Sequence, residues 1–148
     1  MVFAWTSAVK ACSYSKIPTP EEVFAGASAV FVGVVTSAEV LNPQNADEKA
    51  MNDEGVFAVW FKWKTEKVYK GHGIKGKSAL TSTSYCGGID ITIGRKYVFA
   101  VYQNERKETG DLLKLGVIGT LGGFGTSSEL DADRFQELNE VYRRLSKR

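Results

Sequence analysis

Gly71-His72-Gly73-Ile74-Lys75-Gly76-Lys77-Ser78 reads GHGIKGKS, and the fold turns on how that stretch is read. Letter for letter it satisfies the phosphate-loop pattern G-x-x-x-x-G-K-[ST]. A phosphate loop also needs its setting, a buried strand before it and a helix after it whose N-terminal N–H groups meet the phosphates. The stretch before it, Phe57-Ala58-Val59-Trp60-Phe61-Lys62-Trp63-Lys64, reads as a strand. The stretch after it, Ser78 to Tyr85, is rich in Ser and Thr, which favour turns and strands over helix interiors. Cys86-Gly87-Gly88 then ends it. No apolar strand ends in an Asp placed to hold Mg²⁺. The glycine-rich stretch is therefore read as a hairpin connection between two strands, and the chain as a β protein that binds no nucleotide.

Outward from that turn the periodicity is mostly two. Ala29 to Val40 is β-branched and apolar and predicts a first strand, with Gly33 marking a bulge or bend. In the second strand Phe57, Val59, Phe61 and Trp63 alternate with Ala58, Trp60, Lys62 and Lys64, so the first set faces a core. That strand continues to Val68-Tyr69. A third strand covers about residues 78–85 and a fourth 95–103, the latter too apolar at Tyr97 to Tyr102 to be half-exposed throughout. A shorter fifth strand covers 111–118. The polar stretch Asn42 to Gly55 reads as an exposed connection. Two helices flank the strands. Thr19-Pro20-Glu21-Glu22 carries a capping box with Pro in the first turn, and that helix is short, ending near Gly26 or Ser28. From Asp131 the period changes to that of a helix, with Phe135, Leu138, Val141, Tyr142 and Leu145 on one stripe that packs on the sheet. The fold class expected is mainly β, a five-stranded Greek-key barrel of the OB type flanked by a short N-terminal helix and a C-terminal amphipathic helix.

The chain of 148 residues holds one domain's worth of core. A net charge of +2 does not argue for nucleic acid or a membrane surface. No apolar run reaches the roughly 20 residues that span a bilayer. With one His and two Cys far apart in sequence there is no C-x-x-C site and no multi-histidine zinc centre. No cofactor is expected. No nucleophile–base pair stands out, so no enzyme is read here. Cys12 and Cys86 are either two buried thiols or one disulfide. Residues 1–11 read as an export-signal remnant or a tail, with Val9 and Ala11 at −3 and −1 relative to Cys12 as a signal-peptidase site requires; 12–148 form the single domain. Trp60, Trp63, Phe57 and Tyr69 interleave with Lys62, Lys64, Lys67 and Lys70. That pattern would suit a stacking surface for single-stranded nucleic acid, but alternation sends only Trp60 to the lysine face.

Several stretches together resemble the netrin-like module, best known from the N-terminal domain of the tissue inhibitors of metalloproteinases. They are Cys12-Ser13-Tyr14-Ser15 before the Thr19 helix; the Ala29-to-Val35 strand; Glu66-Lys67-Val68-Tyr69-Lys70-Gly71; Ser82-Thr83-Ser84-Tyr85-Cys86-Gly87; and Ile93-Gly94-Arg95-Lys96-Tyr97-Val98-Phe99-Ala100. The resemblance covers roughly residues 12–120. It implies an OB-type barrel, a Cys12–Cys86 disulfide, and a secreted protein found outside the cell, in the periplasm or at the cell surface. It also implies a mechanism. The α-amino group and carbonyl of Cys12 would chelate the zinc of a metalloprotease, displacing the water that the enzyme activates. Ser13 would enter the specificity pocket, and Tyr14, Ser15, Ser84 and Tyr85 would line the same ridge. The chain departs from the family in having Tyr14 where a second Cys stands, and no Cys near Val117, that Cys's usual partner position. Cys12 is preceded by eleven residues, so the mechanism requires cleavage after Ala11. The alternative implied is a netrin-like module that inhibits nothing and binds other extracellular proteins or glycans.

Overall fold

A computed structural model describes residues 16–40, 58–71, 78–82, 89–103, 117–121 and 123–148. Among the described residues the fold is mainly β, one sheet with two helices. Helix α1 spans Pro20–Gly26. Strands follow at β1 (Ala29–Val40), β2 (Ala58–Lys70), β3 (Ser78–Ser82), β4 (Lys96–Tyr102) and β5 (Val117–Leu121), then a 3-10 turn at Gly123–Gly125, a two-residue strand β6 (Ser127–Ser128), and helix α2 (Ala132–Leu145). Strand β3 begins at Ser78, where a phosphate loop would need its helix, so the glycine-rich stretch joins two strands, as read from the sequence.

The strands lie in the order β1-β2-β3-β5-β4-β6, and β1 pairs additionally with β4. Strand β1 is antiparallel to β2, from Val30 opposite Lys70 to Val40 opposite Val59. It is antiparallel to β4 on its other side, from Ala29 opposite Val101 to Val34 opposite Lys96. Strands β3 and β5 run parallel. The first strand has the bounds that its β-branched run predicts. The fourth is trimmed to 96–102. The third ends at Ser82, with 83–85 outside the described residues. The fifth lies later than expected, at 117–121, reaching into the glycine cluster; 111–116 are outside the described residues. Strand β6 and the 3-10 turn carry no sequence signal strong enough to predict them.

Alternation along β1 and β4 sorts side chains into two cores. Ala29, Phe31 and Val35 join Phe61, Trp63, Ala79, Tyr97, Phe99 and Val101 on one side. Val30 and Val32 join Val98 and Ala100 on the other, beneath Val23 and Ala27 of the α1 region and Leu138 and Tyr142 of α2. That is why residues 97–101 are apolar without a polar face: both faces of β4 are covered. The β1–β2 register shifts three times, between Val30 and Phe31, between Val32 and Gly33, and between Val35 and Ser37. The second shift falls at the predicted Gly33 bulge. The third changes the parity, so that Ala38 packs on the same core as Val35.

The first core is aromatic. Phe31 stacks on Trp63 with ring centroids 4.8 Å apart, and Phe99 meets Phe31, Phe61 and Tyr97 at 5.1, 5.6 and 5.3 Å. Each such pair contributes about 0.5–1.5 kcal/mol beyond its buried area. The second core seats the helices. The predicted stripe of α2 faces the sheet, with Leu138 and Tyr142 fully buried and Phe135, Val141 and Leu145 partly so.

Candidate functional site

The ridge residues implied by the resemblance, Cys12, Ser13, Tyr14, Ser15, Ser84 and Tyr85, lie outside the described residues, as does Cys86. What the structure describes is the frame at the ends of those segments. The chain enters at Lys16, whose ammonium sits 2.6 Å from the Glu22 carboxylate. The Thr19 hydroxyl accepts from the Glu22 N–H, and Glu22 accepts from the Thr19 N–H, the predicted capping box. The Lys16 hydrogen bond, then the Thr19 N–H, hold the Glu22 carboxyl below its ordinary range.

Helix α1 has no basic residue in its last turn. Lys70, at the end of β2, supplies the charge from across the fold. Its ammonium donates to the carbonyls of Phe24 (2.7 Å) and Ala25 (2.9 Å) and lies over the Phe24 ring. The next residue, Gly71, has φ +82, and a Cβ there would stand 2.7 Å from the Ser28 carbonyl oxygen. The Lys-Gly pair that carries part of the resemblance is thus a clamp on α1. Nothing local to Lys70 signals this; the signal is the missing cation in α1. Arg144 of α2 adds an ion pair to Glu21 at 3.1 Å.

The other ridge segment leaves β3 at Ser82 and the described chain resumes at Ile89. One residue inside, the buried Thr81 hydroxyl accepts from the Ile89 N–H (3.2 Å). The Tyr97 hydroxyl accepts from the Thr92 N–H (2.9 Å) and donates to the Asp90 carbonyl (3.0 Å). Both segments therefore start from fixed ends.

The aromatic–basic run of β2 divides as alternation predicts. Phe61 and Trp63 are buried, and the Trp63 indole N–H donates to the Thr65 hydroxyl. Phe57 lies outside the described residues. Trp60 is half-buried on the opposite face with exposed Lys62 and Lys64. The Lys62 ammonium lies 4.7 Å from the Trp60 ring centroid. The Trp60 indole nitrogen is buried without a hydrogen-bond partner among the described residues. Among the described residues no cluster of three or more His, Cys, Asp or Glu is placed to hold a metal.

A groove of about 510 Å³ runs between β2 and α2, lined among others by Lys67, Tyr69, Phe135, Asn139 and Arg143. The Tyr69 hydroxyl donates to the Asn139 side-chain oxygen (2.7 Å), and the Asn139 amide donates to the Phe135 carbonyl (3.1 Å). The Lys67 ammonium lies 5.1 Å from the Tyr69 ring centroid. Burial pushes the Tyr69 phenol above its ordinary value, partly offset by the Arg143 charge. Sequence reading assigned no role to this groove, because its two walls are some seventy positions apart in the chain.

No protein-family model and no curated protein matches this chain.

Proposed function

We propose that the chain is a netrin-like module built as an OB-type Greek-key barrel, exported from the cell, and that it inhibits a zinc metalloprotease once cleavage after Ala11 makes Cys12 the first residue. The observation that supports the barrel is the order of pairings. It runs β1-β2-β3-β5-β4 and returns to β1, with β3 and β5 parallel. Strand β1, paired to β2 on one side and to β4 on the other, is thereby not an edge strand over Ala29 to Val34. The inhibitor reading draws on the frame around the ridge segments. A free α-amino group at Cys12 has a lone pair for zinc, whereas an amide nitrogen does not. Chelation needs that amine held at a constant position, and the clamp of Lys70, Arg144 and Lys16 on α1 holds the chain that follows it.

The test compares two chains, one beginning at Met1 and one at Cys12, against a panel of zinc metalloproteases. The Cys12 chain inhibits and the Met1 chain does not. An inactive Cys12 chain, or two free thiols in the isolated native protein, removes the inhibitor reading. A second reading, a binding module without inhibitory activity, is favoured by the β2–α2 groove, whose two cations have no carboxylate partner among the described residues.

A further inference from the structure

We draw no further inference here: the strongest candidate, the face of the β2–β3 pair on which the Trp60 indole nitrogen and the Ser78 hydroxyl are buried without a hydrogen-bond partner among the described residues, carries nothing, because neither atom is open to a ligand and nothing in the structure shows what covers them.

Discussion

Gly125 shows at one residue how closely the second core is packed. A Cβ there would stand 2.2 Å from Val23 Cγ1, 2.8 Å from Ala100 Cβ and 2.9 Å from the Tyr142 hydroxyl oxygen. Strand, helix and 3-10 turn meet at that point, and only hydrogen fits. Gly125→Ala is expected to destabilise by about 3 kcal/mol, the upper end of overpacking costs, seen as a lowered midpoint in urea. The Tyr142 hydroxyl donates to the Gly125 carbonyl at 3.0 Å, and the ring is fully buried. Tyr142→Phe strands that carbonyl and is expected to cost about 1–3 kcal/mol. Burial, helped by the neighbouring Tyr102, pushes the Tyr142 phenol far above its ordinary value of 10.0. The folded state thus resists the deprotonation that the unfolded chain undergoes. The associated stability is complete below pH 10 and falls as pH rises beyond it. Denaturation midpoints measured from pH 8 to about 12 decline in the parent protein and decline less in Tyr142→Phe.

At the level of elements, α1 is too short to persist alone. Its 7 residues fall well below the about 12–15 that an isolated helix needs. It persists because Thr19 caps one end, Val23 is buried, and Lys70 satisfies carbonyls at the other. Lys70→Met keeps the length and removes the charge. It is expected to cost about 1–2 kcal/mol through the lost charged hydrogen bonds and dipole contact. It should also raise amide exchange in α1 more than in β4. Equal exchange rates in both elements would count against a local clamp. Strand β1 is the opposite case. Its twelve residues pair on one side with β2 and, from Ala29 to Val34, on the other side with β4. Its bounds were readable because nearly every residue from Ala29 to Val35 is buried by one core or the other. The fifth strand was not readable in that way. Its neighbours are glycines, and what holds it is pairing with β3 and β4, remote in sequence.

For the whole molecule, the consequence of two cores is that α2 is structural. Its stripe covers Val30, Val32, Val98 and Ala100, so deleting residues 131–148 uncovers a continuous apolar sheet face. The shortened chain is expected to lose its cooperative thermal transition while keeping β-type far-UV dichroism; a sharp transition near the parent temperature would contradict this. The amino-acid sequence by itself determined the Thr19 cap of α1, the first strand, the inward face of β2 and the stripe of α2. Each depends on neighbours within a few residues and on a period of two or near four. Only the tertiary structure decided where β5 pairs, that Lys70 closes α1, that Gly125 must lack a side chain, and that Lys67 and Arg143 border one groove. Those facts join residues far apart in the chain, and spacing along a sequence carries no record of which distant backbone or side chain will stand opposite.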